Sequence, residues 1–144
     1  MNVVIDSNIL FSALIKDSIT RKLILEHKEM FLFPEIIFEE MEKYKYELVE
    51  KSKMKEKDFE RLFALLLKKM QIIPTEKLEP YREKSLKIME KIDKKDALFI
   101  ACGMAYTNSV IWSEDKKLKK QNNVPIFNTK EILEYFKKEK VKEL

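Results

Sequence analysis

Short apolar runs alternate with longer amphipathic stretches along this chain. The runs are rich in β-branched residues and do not alternate with polar positions, which is typical of strands buried on both faces of a parallel sheet. An alternating order of strands and helices is typical of an α/β sandwich with a parallel sheet. The predicted strands cover residues 1–5, 30–33, 71–73, 109–112 and 124–127.

Apolar residues recur at helical spacing between these runs. The stretch after Asp96 is apolar on every side, so we expect this helix to be buried all round. Gly103, the chain's single glycine, lies inside it despite about 1 kcal/mol of lost helix propensity, and we infer close packing against a neighbour. The predicted helices cover residues 7–15, 18–27, 35–50, 55–70, 80–92 and 93–106, followed by a short basic helix after 115 and a closing helix from 128 or 129.

Composition places the chain among globular proteins. Its 144 residues predict one domain over residues 1–144, and 45% hydrophobic with 38% charged residues excludes a disordered chain. No apolar run approaches the roughly 18–20 residues of a membrane span, so we expect no membrane partner. Cys102 is the only cysteine, which excludes disulfide scaffolds and cysteine zinc sites. The N-terminal residues lack the pattern of a secretory signal peptide, and we expect a cytoplasmic protein.

The charged residues are unevenly distributed among types. There are 26 Lys and 3 Arg against 19 Glu and only 6 Asp, and the net charge is +4. Such an excess permits nucleic-acid binding without requiring it. Because glutamate supplies most of the acids on solvated faces, we expect each aspartate to be needed at its particular position in the structure.

Three of the six aspartates fall near one predicted edge of the sheet. Asp6 follows the first strand, Asp115 follows the strand over 109–112, and Asp96 begins the buried helix. Ligands of parallel α/β sheets bind beyond the carboxyl ends of the strands. Carboxylates gathered there repel one another unless a cation is present. Their oxygens suit hard divalent cations such as Mg²⁺ or Mn²⁺.

Helix capping is an alternative explanation for each acid. Asp6 is a suitable residue to start the helix that follows it. Asp93 is a suitable N-cap, with Asp96 favoured by the helix dipole. Ser113 is a suitable cap for the basic helix, with the same benefit to Asp115. Capping accounts for each acid singly, but it does not explain why all of them lie at one ligand-binding edge.

A glutamate on the helix over 35–50 is a further candidate. At 100° per residue, Glu40 lies roughly 70° from the centre of the buried stripe and Glu39 roughly 170°. Glu40 therefore borders the buried face and can turn into a cleft, whereas Glu39 faces solvent. The stripe consists of Ile37, Met41, Tyr44 and Leu48.

Four short motifs, in this order and separated by helices, resemble the PIN domain, a family of small metal-dependent ribonucleases. The resemblance spans nearly the whole chain. Each motif is short, but the four together form a specific signal. They are VVIDSN at residues 3–8, PEIIFEEM at 34–41, DKKDALFIA at 93–101 and IWSEDKKL at 111–118.

The resemblance implies a three-layer α/β sandwich with a central, mostly parallel sheet of about five strands and an acidic pocket at its carboxyl edge. It implies Mg²⁺ or Mn²⁺ as cofactor, single-stranded RNA as substrate, and metal-assisted hydrolysis of phosphodiester bonds. Asp93 is an additional candidate ligand. The implied catalytic and metal-holding residues are Asp6, Glu40, Asp96 and Asp115.

Polar neighbours of these acids are candidates for supporting roles. Ser7, Asn8 and Ser113 are candidates for orienting the carboxylates or contacting phosphate, with N-capping as an alternative for both serines. The lysines next to the acids are candidate phosphate contacts or ordinary solvated residues: Lys116, Lys117, Lys119 and Lys120 after Asp115, and Lys94 and Lys95 beside Asp96. His27, the only histidine, is predicted to be a surface residue outside the chemistry.

The resemblance leaves several functions open. An endoribonuclease could be the toxin of a toxin–antitoxin pair, with an antitoxin protein as partner, or an RNA-processing enzyme. Members of this family often dimerise through the region of residues 35–70, so a homodimer is expected, with some of Phe59, Phe63 and Leu66 packing on the second subunit. The main alternative is a catalytically silent PIN-like module that binds RNA or protein. A phosphoacceptor receiver domain is a third hypothesis, but it should show paired acids after the first strand, where this chain has Asp6-Ser7-Asn8.

Overall fold

A computed structural model of the chain describes residues 1–16 and 18–142; residue 17 and the end of the predicted domain, residues 143 and 144, lie outside the described residues. The strands of one sheet are β1 (Asn2–Ile5), β2 (Phe31–Pro34), β3 (Met70–Ile73), β4 (Ser109–Trp112) and β5 (Ile126–Phe127). Their order is β3-β2-β1-β4-β5, and every pairing is parallel. The predicted α/β fold with a parallel sheet of about five strands is confirmed.

The helices flank this sheet in two groups. Helices α1 to α5 pack among themselves and α6 to α8 form the second group, which gives the three layers. Among the described residues, no helix combines the length and the apolar character that crossing a membrane requires. The helices are α1 (Ser7–Ile15), α2 (Ile19–Glu26), α3 (Glu35–Lys43), α4 (Lys45–Ser52), α5 (Glu56–Leu67), α6 (Thr75–Leu78), α7 (Arg82–Met89), α8 (Ala97–Ala105) and α9 (Thr129–Lys142), with 3₁₀ turns over Glu79–Tyr81, Lys94–Asp96 and Lys116–Lys120.

The position of β1 defines the edge at which a ligand is expected. The strand lies between β2 and β4, so the chain order reverses there, and such a reversal is where open α/β sheets bind ligands. Ile5 is paired with Trp112, and the Asp6 N–H still donates to the Trp112 carbonyl at 3.1 Å. The Ser113 N–H donates to the Phe127 carbonyl at 3.0 Å. The ends of β1 and β4 are therefore level, and Asp6 and Ser113 leave the sheet side by side.

Helix α8 is the buried helix that the sequence predicts. It contacts β1, β2 and β4 on one side and α6 and α7 on the other, which is why apolar residues surround it. Phe99, Ile100 and Cys102 are each at most 2% exposed. Because the first residue of α8 follows Asp96, packing of this helix on the sheet holds Asp96 near the ends of the strands.

The predicted single helix over residues 35–50 is wrong, because the structure has two helices that meet at Tyr44. Tyr44 leaves the helical conformation with φ −102° and ψ 17°, and its N–H is shared between the Glu40 and Met41 carbonyls. The change of direction has a packing reason. Helix α3 contacts β2 and β3, whereas α4 contacts α1 and α5.

Two other predicted boundaries were also wrong. Met70 belongs to β3 rather than to the preceding helix, because it pairs with Phe31 in the sheet. Pro80 does not open a helix; it lies in a 3₁₀ turn, where its missing N–H is tolerated, and α7 begins at Arg82 and ends at Met89.

His27 is not the surface residue that the sequence predicts. It ends α2, and its ring stacks on Phe136 of α9 with centroids 4.0 Å apart and planes at 8°. Burial lowers the pKa of His27 from 6.5. The side chain therefore joins α2 to α9.

Gly103 supplies a stability prediction. A Cβ added there would lie 2.6 Å from Cγ1 and 3.3 Å from Cβ of Val124, so the predicted close packing is observed. We expect Gly103→Ala to lower the free energy of unfolding by about 1 kcal/mol, because overpacking outweighs the gain in helix propensity. In a Val124→Ala background the same change should stabilise the protein. Urea denaturation of the four proteins checks this, and stabilisation by Gly103→Ala alone would contradict it.

Candidate active site

Asp6 is a buried carboxylate held from two directions. It is 3% exposed, and its Oδ2 accepts a hydrogen bond from the Ser113 hydroxyl at 2.6 Å. Its Oδ1 accepts from the Asn8 N–H at 3.3 Å and from the Ser7 hydroxyl at 3.4 Å. Asp6 therefore caps α1, as the capping explanation requires, while its other oxygen is oriented by the residue that follows β4.

Ser113 connects two of the candidate acids. Its side chain is 1% exposed, and its Oγ accepts the N–H of Asp115 at 3.0 Å while donating to Asp6. The turn that follows is capped by Asp115, whose Oδ1 accepts the Lys117 N–H at 3.0 Å, and not by Ser113. Ser113 thus fixes the direction of Asp6 and the start of the Asp115 turn at once.

Asp96 shows how closely the acids gather. Burial, together with the charges of Asp6, Asp93 and Asp115, raises the pKa of this half-buried carboxyl to about 6, and the charge of Lys117 opposes this shift. The carboxylates that act on Asp96 thus come from three parts of the chain. Asp93 also caps its own 3₁₀ turn, since its Oδ1 accepts the Lys95 N–H at 3.0 Å.

Glu40 lies beside this cluster rather than within it. It is exposed on α3 and lines a cavity of about 620 Å³ together with Ser7 and Asn8. It is not among the groups that shift the pKa of Asp96 most. The structure therefore gathers four aspartates at the end of the sheet and places Glu40 at the entrance of an adjoining groove.

The oxygen atoms of the candidate acids are chemically suited to bind a hard divalent cation. Within residues 1–16 and 18–142, no three His, Cys, Asp or Glu side chains are arranged closely enough to hold a metal ion as they stand. However, three other carboxylates act on Asp96, and among the charges that affect its pKa most only that of Lys117 opposes them. Oxygen ligands in an uncompensated acidic cluster are what Mg²⁺ and Mn²⁺ bind.

The lysine cluster after Asp115 supplies one charge that acts on Asp96, and Arg82 is a basic residue that did not stand out in the sequence. Lys116 is exposed, and the lysine whose charge acts on Asp96 is its neighbour Lys117. Arg82 lines a cavity of about 400 Å³ with Lys94 and Lys95, next to the start of α8. Only the packing of α7 against α8 brings Arg82 there, so spacing along the chain carries no signal for it.

Comparisons with known proteins agree with this geometry. A family model described as PIN domain matches residues 4–137, a range that contains every candidate acid. The chain is also similar to a chain in the crystal structure of VapBC2 from Rickettsia felis bound to a DNA fragment from their promoter. The identity is 21% and the TM-score 0.65, over 89% of this chain and 98% of that chain. A comparison with curated proteins finds no significant match.

Proposed function

This chain belongs to the PIN domain family, whose members are generally nucleases, and we propose that it is an endoribonuclease that hydrolyses phosphodiester bonds of single-stranded RNA with Mg²⁺ or Mn²⁺. The observation that carries the proposal is the gathering of Asp6, Asp96 and Asp115 at the carboxyl ends of β1 and β4, where their charges act on one another. This is the position at which an open α/β sheet binds its ligand.

The proposed roles follow from the geometry. Asp6, Asp96 and Asp115 would hold the ion, with Glu40 approaching from the groove and Asp93 as an additional ligand. When bound, a divalent ion supplies charge stabilisation for the scissile phosphate and lowers the pKa of a water ligand. Partners that orient a metal ligand typically contribute about 10–100-fold to affinity or activity. In this chain Ser113 is that partner for Asp6, with Ser7 and Asn8 on its other oxygen.

The cavity beside α8 gives a prediction for RNA binding. Its lining contains Lys94 and Lys95 together with the ion pair of Arg82 and Glu79, so the two lysines supply its net positive charge and we expect them to neutralise phosphates of the bound strand. For single strands the slope of log K against log salt is about −0.7 per neutralised phosphate, so Lys94→Gln/Lys95→Gln should make the slope shallower by about 1.4. Titrations of a short RNA at several salt concentrations measure this. Lys87→Gln/Lys91→Gln removes the same charge outside the cavity and should leave the slope unchanged; equal slopes for both double variants would contradict the assignment.

The partner of this chain is proposed from its structural neighbour. That neighbour comes from VapBC2 bound to a DNA fragment from their promoter, and we propose that this chain is the toxin of a toxin–antitoxin pair and binds an antitoxin protein. A role in RNA processing is the alternative. A stable complex with the product of a neighbouring small gene for a DNA-binding protein would favour the toxin.

A homodimer is also proposed. The predicted contacts Phe59, Phe63 and Leu66 are wrong, because these side chains are buried within the chain itself. Leu65 on the same helix is 50% exposed, in the region that the resemblance implicates in dimer contacts. Sedimentation of the purified chain gives the oligomeric state directly, and a monomer at all concentrations would exclude the dimer.

Among the described residues, no three acids are already arranged to hold a metal ion. This observation favours one rival function, that of a catalytically silent module that binds RNA. Incubation of labelled single-stranded RNA with the protein and Mn²⁺, with and without a chelator, separates the two. Cleavage that the chelator abolishes is expected. RNA that binds but is never cut would support the silent module.

A further inference from the structure

Beyond Glu40 and the two residues that follow Asp6, the groove that adjoins the acidic cluster has no role in the proposed chemistry. This groove, of about 620 Å³, begins at Ser7 and Asn8, immediately after Asp6, and extends between α1 and the two helices α3 and α4. Its walls include Phe11 of α1 and Tyr44 at the junction of α3 and α4. Any strand that places a phosphate at Asp6 therefore has a neighbouring nucleotide within reach of this groove.

Tyr44 is exposed where the sequence pattern would bury it. It belongs to the apolar stripe of the predicted helix, whose members Met41 and Leu48 are 2% and 7% exposed. Tyr44 itself is 58% exposed, because the chain breaks at this residue and turns its ring to the groove. Positions that depart from local sequence rules tend to be functional ones, and an aromatic ring at the side of a groove is a stacking platform.

The charges along the groove decide which part of a nucleotide it suits. Lys16 and Lys51 line it, but so do Glu40 and Glu47, so the formal charges balance. A phosphate would gain little from such a lining, whereas an uncharged planar base would gain apolar contact and stacking. The volume is within the range of about 300–1,000 Å³ that is usual for small-ligand pockets.

We propose that this groove binds a nucleobase of the RNA adjacent to the scissile phosphate, with Tyr44 stacking on the base and Phe11 contacting it from α1. The inference rests on the proposed function, since it assumes that single-stranded RNA is the ligand. It makes Tyr44 a positioning residue, because holding the neighbouring base fixes the phosphate relative to the acids.

Binding measurements test the proposal separately from cleavage. A short RNA that carries the fluorescent base 2-aminopurine is titrated with protein in chelator, so no cleavage is needed. We expect Tyr44→Ala to weaken binding about tenfold, equivalent to about 1.4 kcal/mol, and to abolish the quenching that stacking causes. Tyr44→Trp should retain both. The matched control is Tyr46→Ala, since Tyr46 is two residues away, 86% exposed and outside the groove lining.

The outcomes separate this inference from the proposed function. If the wild-type protein does not bind RNA, the proposed function fails. If it binds and cleaves RNA but Tyr44→Ala and Tyr46→Ala behave alike, the groove does not hold a base and only this inference is overturned. Normal RNA binding by Tyr44→Ala together with a weakened protein complex would assign the groove to a protein side chain, which also overturns it.

Discussion

Replacing Asp6 by Asn is expected to reduce RNA cleavage by more than about a hundredfold while the protein stays folded. Loss of a residue that only orients a metal ligand typically costs about 10–100-fold, and Asp6 is itself a proposed ligand. Asparagine keeps an oxygen that can accept from the Ser113 hydroxyl or the Asn8 N–H, so the cap of α1 has a replacement. The charge that would bind the cation is lost.

Single-turnover cleavage of a labelled RNA with Mn²⁺ measures the effect, and thermal unfolding shows that the fold is kept. Asp58→Asn is the matched control, because Asp58 is an exposed aspartate in the first turn of α5, away from the cluster. It should cut RNA at the wild-type rate. An Asp6→Asn protein with near wild-type activity would show that Asp6 is not part of the reaction.

Capping and ligand binding turn out not to be competing explanations for the aspartates. Asp6, Asp93 and Asp115 each accept a backbone N–H two residues ahead, as caps do. The same three side chains are close enough to Asp96 to raise its pKa. A cap fixes one carboxylate oxygen against the backbone, so capping here also pre-orients the acids at the end of the sheet.

The sequence predicted the elements whose boundaries are local. The helix over 7–15 and the strand over 109–112 match the structure residue for residue, because an aspartate caps the first and apolar β-branched residues define the second. The break at Tyr44 was not predictable from the stripe, since it depends on α3 contacting the sheet while α4 contacts α1 and α5.

The site also has features that the sequence shows locally and features that depend on tertiary contacts. Aspartates at strand ends can be read from the chain, because parallel strands bring their carboxyl ends to one edge. The hydrogen bond from Ser113 to Asp6 joins residues 107 positions apart and depends on the pairing of Ile5 with Trp112. The position of Arg82 beside Lys94 and Lys95 likewise depends on the contact of α7 with α8, which no spacing encodes.

Replacing Asp96 by Asn is expected to change stability and activity in opposite directions. In the absence of metal ions the carboxylate is half-buried beside three other acids, so its charged form is disfavoured in the folded state. Asparagine removes that charge at nearly the same size. We therefore expect Asp96→Asn to unfold at a higher temperature than the wild type in chelator, and to cleave RNA more than about a hundredfold more slowly.

The pH dependence of this stability difference has a definite sign. Because the folded-state pKa of Asp96 is about 6 against a reference value of 3.8, the wild type is destabilised most above pH 6. As the pH falls from 6 towards 3.8, the folded protein takes up the proton and the destabilisation is relieved. The advantage of Asp96→Asn in chelator should thus be largest near neutral pH and should disappear near pH 4.

When divalent ions are present, the wild type should become more stable than Asp96→Asn. This reversal distinguishes a metal site from an acidic cluster that binds no ion. An ion at a hundred times its Kd stabilises the folded wild type by about 2.7 kcal/mol, or roughly 5–10 °C for a domain of this size. Asp96→Asn should show only a small fraction of that rise, whereas Asp58→Asn should follow the wild type.

Thermal unfolding with Mn²⁺ and with chelator, between pH 4 and 8, measures all of these differences. If Asp96→Asn lowers the unfolding temperature in chelator, or responds to Mn²⁺ as the wild type does, Asp96 is a structural acid and the metal site must be sought elsewhere.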